Sequence, residues 1–119
     1  MATVKRRTRR RFVPRGAVKI CEELAHRQVD VAGRFDFALF RDFGQVFCDR
    51  KSRPTVVDLS AVTDFTSAAI GMLLVLRRKV EPRHEIRLKV ADPAALELLR
   101  LARLDASFAI ESVSPRNAL

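Results

Sequence analysis

The chain has 119 residues, 48% of them apolar and 31% charged, enough for one hydrophobic core and too short for two independent domains. Its longest strongly apolar stretch, Ala68–Leu76, has nine residues, about half of the ~18 that indicate a membrane span, so no transmembrane segment is expected. The formal charge of +9 is concentrated: residues 1–16 hold seven basic residues (Lys5, Arg6, Arg7, Arg9, Arg10, Arg11, Arg15) and no acidic ones, leaving sixteen basic against fourteen acidic residues in the remainder.

The arginine run repels itself and buries nothing, so residues 1–16 read as a flexible basic arm and residues 17–119 as the domain. Val18 and Ile20, with Leu24 beyond them, suggest a first strand; Val29, Val31 and Phe35 suggest a second around Gly33. The two are expected to form a hairpin. Phe37, Phe40, Phe43 with Gly44, and Phe47 recur at helical spacing, which predicts an amphipathic helix whose aromatic rings pack in the core rather than stack on bases. Pro54 then opens Thr55–Leu59, a β-branched run read as a buried central strand, followed by a loop over Ser60–Asp64.

From about Ser67 to Val80 the Ala, Leu and Met content favours a helix with basic residues in its second half. Ile86, Leu88 and Val90 alternate with charged residues and predict a strand with one wet face. Asp92-Pro93 supplies a cap and a proline at the first helical position, and the helix continues through Leu96, Leu98, Leu99, Leu101 and Leu104. Phe108, Ile110 and Val113 make a last strand. The order β-β-α-β-α-β-α-β places the chain in the α/β class, with a mixed, mostly parallel sheet packed by helices and right-handed crossovers.

Several residues with chemical potential lack the company that catalysis needs. Asp58 and Asp64 have no histidine or second acidic cluster beside them and read as solvated loop-edge carboxylates. His26 and His84 lack ligand spacing and are expected at the surface, so no metal site is expected. Cys21 and Cys48 are too few for a disulfide scaffold or a zinc site, have no assignable histidine partner, and point to a reduced, cytoplasmic setting. There is no glycine-rich phosphate loop. The reading is therefore a non-enzymatic protein without a cofactor.

The stretch Val56-Val57-Asp58-Leu59-Ser60 through Thr66-Ser67-Ala68-Ala69-Ile70-Gly71-Met72-Leu73-Leu74 resembles the STAS domain of bacterial anti-sigma-factor antagonists. Gly33-Arg34-Phe35-Asp36, the helix from Phe37, and Leu88-Lys89-Val90 leading to Leu98-Leu99 match in the same order, over roughly residues 18–113. Aligning Ile70-Gly71 with the family's Leu-Gly places Ser67 at the position that is phosphorylated in the family. Thr66 stands where the family carries aspartate and adds a second candidate acceptor, and Ala68-Ala69 replaces Ser-Gly or Ser-Ala. The resemblance implies a contact surface of Thr66, Ser67, Ala68, Ala69 and Gly71. It also implies an anti-sigma factor or serine kinase captured by the unphosphorylated form, and a separate serine phosphatase that resets the switch. A second implied role is that of a STAS accessory subunit docking on a transporter ATPase.

The residues themselves suit such a switch. Thr66 is a good helix N-cap whose hydroxyl is expected to accept from a first-turn N–H, and Ser67 then opens the helix. A phosphate there adds about −1.5 to −2 charges at the positive end of the helix dipole. The plainer reading is a cap and first turn with no further role. The arm offers salt-dependent contact with nucleic acid, anionic lipid or an acidic partner; without interleaved aromatics, no sequence-specific DNA binding is expected.

Overall fold

In the computed structural model, residues 16–22, 25–47 and 53–115 are described. Five strands, β1 (Ala17–Glu22), β2 (Arg27–Phe35), β3 (Thr55–Phe65), β4 (Ile86–Val90) and β5 (Ala109–Ser112), form one sheet in chain order. β1 and β2 are antiparallel, and β2, β3, β4 and β5 run parallel. Three helices connect the parallel strands: α1 (Phe40–Phe47), α2 (Ser67–Lys79) and α3 (Pro93–Leu101). With strand order equal to chain order, three right-handed crossovers put every helix on the same side. Val29, Val31, Val57, Leu59, Ile86, Leu88 and Val90 are buried on that side.

The loop expected at Ser60–Asp64 is instead strand. β3 runs eleven residues against nine in β2, and the pairing absorbs the two extra residues at register shifts between Asp30 and Ala32 and between Gly33 and Arg34. Ladder bonds to β2 outweigh the loop-like polarity of the segment. The first shift strands a backbone donor, and Asp58 supplies the acceptor: its Oδ1 takes the Ser60 N–H at 2.9 Å and the Ser60 hydroxyl. Asp58 is thus a buried strand residue, 6% exposed, and not a solvated loop edge. Asp58→Ala leaves that N–H without its acceptor and is expected to cost about 1–3 kcal/mol, read from a lowered urea midpoint. Gly33 sits at the second shift with φ 76°, a conformation that disfavours any side chain.

The aromatic segment also departs from expectation. Asp36 caps a 3-10 turn, Phe37–Leu39, through its side chain to the Ala38 N–H, and this turn offsets the helical face. The buried stripe is Phe35, Leu39 and Phe43, whereas Phe37 and Phe40 are 65% and 42% exposed. Phe37 and Phe40 therefore do not join the core. Leu24, Cys48 and the side chain of Phe47 lie outside the described residues.

The Asp92-Pro93 signal holds: Asp92 accepts the Ala94 N–H at 3.0 Å. The helix is shorter than expected, because Arg103 adopts φ 61° and starts a separate 3-10 turn that contains Leu104. Leu98 and Leu101 point outward. β5 spans Ala109–Ser112, with Phe108 and Val113 flanking it rather than inside it. His26 and His84 are half-buried rather than fully at the surface. Cys21 is a half-buried free thiol. Among the described residues, no helix is long and apolar enough to cross a membrane, and no group of metal-holding residues occurs.

Candidate functional site

The parallel strands β2 and β3 end side by side, and the chain turns from β3 into α2 at Thr66. Thr66 has the extended backbone of an N-cap (φ −107°, ψ 168°), but its hydroxyl does not cap the helix. It donates instead to the Phe35 carbonyl at 2.8 Å, and the Thr66 N–H reaches the same oxygen at 3.3 Å. The expected capping bond is thus replaced by a tether between the end of β2 and the start of α2, because the ladder brings the Phe35 carbonyl within reach. The Ala69 N–H closes the first turn onto the Thr66 carbonyl at 3.0 Å.

This arrangement separates the two hydroxyls. Thr66 is half-buried and engaged, while Ser67, the first residue of α2, is exposed. Thr66→Val removes the hydroxyl bond of the tether, leaving the backbone N–H one, while keeping the shape, and is expected to lower stability by about 0.5–1.5 kcal/mol and to speed amide exchange in the first turn of α2; Thr66→Ser, which keeps the hydroxyl donor, is expected to restore both.

Along α2, Ala69, Met72, Leu73 and Leu76 face the core. Ala69 is fully buried, so it cannot contribute to a contact surface as the resemblance implied. Its small side chain lets α2 lie close on the sheet. Ala68 and Gly71 face outward, and with Met72 and Val75 they form one wall of an apolar groove of about 320 Å³; Phe37 and Phe40 form the other. The two rings are stacked with centroids 5.2 Å apart. Nothing lies within 4 Å of where a Cβ on Gly71 would stand, so this glycine keeps the groove open rather than serving a tight packing contact.

The contribution of Phe37 and Phe40 was hidden in the sequence by their helical period. The signal that could have exposed them is Asp36: a cap there starts a 3-10 turn ahead of α1 and puts Leu39 and Phe43 on the inner face.

Charge gathers at the rim. Arg34 lies 2.8 Å from Asp36 and 3.6 Å from Asp64, all partly exposed, so two carboxylates share one guanidinium. Such exposed pairs contribute little to stability. Asp64 is separated from Asp58 along β3, and the two do not form an acid/base pair. At the far end of α2, Arg77 donates to the carbonyls of Val80, Glu81, His84 and Ser107 and fixes the helix C-terminus.

The fold and this strand-turn-helix geometry agree with the comparisons. A family model described as Mlab, STAS domain, matches residues 19–112. The chain belongs to the STAS-domain family. A STAS-domain containing protein of Pseudomonas aeruginosa (strain UCBPP-PA14) is 33% identical over 86 residues, covering 69% of this chain and 84% of that protein. The crystal structure of an anti-sigma factor antagonist from Mycobacterium paratuberculosis superposes with a TM-score of 0.72 at 25% identity, covering 83% of this chain and 87% of that one. In this STAS domain the exposed Ser67, the tethered Thr66 and the groove beside them form the candidate site.

Proposed function

We propose that this STAS domain is an anti-sigma-factor antagonist whose partner binding is switched at Ser67. The unphosphorylated form captures an anti-sigma factor or related serine kinase through Ser67, Ala68, Gly71 and the rings of Phe37 and Phe40. Phosphorylation of Ser67 releases that partner, and a serine phosphatase resets the switch. The domain works in the cytoplasm by binding alone, without catalysis and without a cofactor.

The observation that carries this reading is the difference between the adjacent hydroxyls: Ser67 is exposed at a helix N-terminus, while Thr66 is tied to Phe35. A phosphate at that terminus meets the positive end of the helix dipole, so it need not unfold the domain. It would also stand beside an apolar groove, where an added charge opposes a dry contact. The test is intact-mass analysis after incubation with ATP and lysate of the source cells. The expected result is one added phosphoryl group in wild type and Thr66→Ala and none in Ser67→Ala; equal labelling of Ser67→Ala would overturn the assignment.

A second reading is a STAS accessory subunit that docks permanently on a transporter ATPase. It is supported by the apolar character of the groove, which offers a contact that needs no switch. Co-purification distinguishes the two: a transporter ATPase supports the second reading, and a serine kinase the first.

A further inference from the structure

Both helices that flank the groove carry an interior glycine. Gly71 stands in α2 and Gly44 in α1, one turn on from Phe40, and nothing lies within 4 Å of where a Cβ on either would stand. Neither has the positive φ that calls for glycine. Glycine in a helix interior weakens the helix, and no described residue uses the space that these two leave.

Charge along the groove is uneven. Its α2 wall runs from Ala68 to Val75, about 10 Å or two helical turns. At the Ala68 end Asp36 and Asp64 outnumber Arg34. At the other end Arg78 and Lys79 follow Val75 by three and four positions, which puts them on the same helix face, and helical side chains lean back toward the N-terminus, over the groove. Both are exposed, and neither is in an ion pair among the described residues. With Arg77 they make the last turn of α2 wholly basic, and the helix holds no acidic residue.

We propose that the groove takes an acidic amphipathic helix of the partner, laid antiparallel to α2. Apolar residues at i, i+3 or i+4, and i+7 cover the two turns from Ala68 to Val75, and the backbone of the docked helix comes closest at Gly71. Its acidic residues lie against Arg78 and Lys79, because the Asp36 and Asp64 end repels them. Acidic residues favour the first turn of a helix, so that turn lies at Arg78 and the last turn at Ser67. The carbonyl end of the docked helix, negative by its dipole, then faces any phosphate on Ser67. This occupant rests on the proposed role of the groove as the partner-facing surface, but not on phosphorylation.

The protein has no tryptophan. A capped synthetic helix of about 18 residues, with leucine and tryptophan anchors at that spacing and glutamates in its first turn, therefore reports its own docking by indole fluorescence. Against the full chain, the expected result is a saturable blue shift. Affinity is expected to be about tenfold above that of the same peptide with lysines for glutamates, and severalfold above that of one with the glutamates in its last turn. Arg78→Gln combined with Lys79→Gln should bring the three within about twofold of one another. Gly71→Leu should abolish the shift without lowering the urea midpoint, since a Cβ there meets nothing. No shift with any peptide, equal affinities in wild type, or docking that survives Gly71→Leu overturns the proposal. So does a preference for glutamate that survives loss of Arg78 and Lys79, which would assign it to the basic residues before Gly16. Failure of Ser67 to accept phosphate changes none of these results, so the two readings fail separately.

Discussion

Ser67→Asp is expected to weaken capture of the purified partner by about 10- to 100-fold, while Ser67→Ala binds within a few-fold of wild type; titration calorimetry on the three proteins reads both. The size follows from the energy scale of the contact. An added charge that faces a desolvated apolar surface need contribute only about 1.4–2.8 kcal/mol of repulsion and desolvation to change affinity by that factor. The sign follows from position. Ser67 is exposed at the first turn of α2, so the added group is accommodated within the domain and its penalty falls on the complex. Circular dichroism and the urea midpoint of Ser67→Asp should therefore match wild type, because a carboxylate in the first helical turn is compatible with the dipole. Equal partner binding by all three proteins would remove Ser67 from the switch.

Phe35→Ala is expected to be the most damaging of the substitutions considered, costing about 3–5 kcal/mol and lowering the urea midpoint accordingly. A domain of this kind has only about 5–15 kcal/mol in total. The Phe35 ring is fully buried, stacked on Phe43 at 5.5 Å and edge-on to Phe65 at 5.9 Å. Its carbonyl holds both donors of Thr66. Core and site therefore meet in one residue, and losing the ring lets the end of β2 move relative to α2. The consequence is testable by a double-mutant cycle: Thr66→Val should cost less in the Phe35→Ala background than in wild type, because the tether has already lost its fixed anchor. Full additivity would show that ring and carbonyl act independently.

The sequence made the element order legible because each strand and helix carries its own period, and the Asp92-Pro93 cap marks one boundary without ambiguity. It also placed Ser67 at the start of α2. Ser60–Asp64 misled because polar residues in a bulged strand look like a loop; the bond from Asp58 to Ser60 that makes the bulge tolerable is visible only when the register is known. Phe37 and Phe40 misled for a related reason. A three- to four-residue period fixes that a stripe exists but not its phase, and the 3-10 turn set by Asp36 rotates it. The resemblance implies Ala69 in the contact surface, yet a helix turns about 100° per residue, and the position next to an exposed one can face inward. The partner of Thr66 lies 31 positions away in sequence, a separation at which no local pattern carries information.

Crowding all three helices onto one side leaves the protein with a back. Lys19, Asp30, Asp58, Lys89 and Glu111 stand there in a single row across the five strands, and Cys21, two residues from Lys19 on the same strand, shares that orientation. With Cys48 replaced by serine, a thiol-coupled dye or sensor chip would grip the molecule from behind. The groove and Ser67 would then face the solution, oriented alike on every immobilised copy.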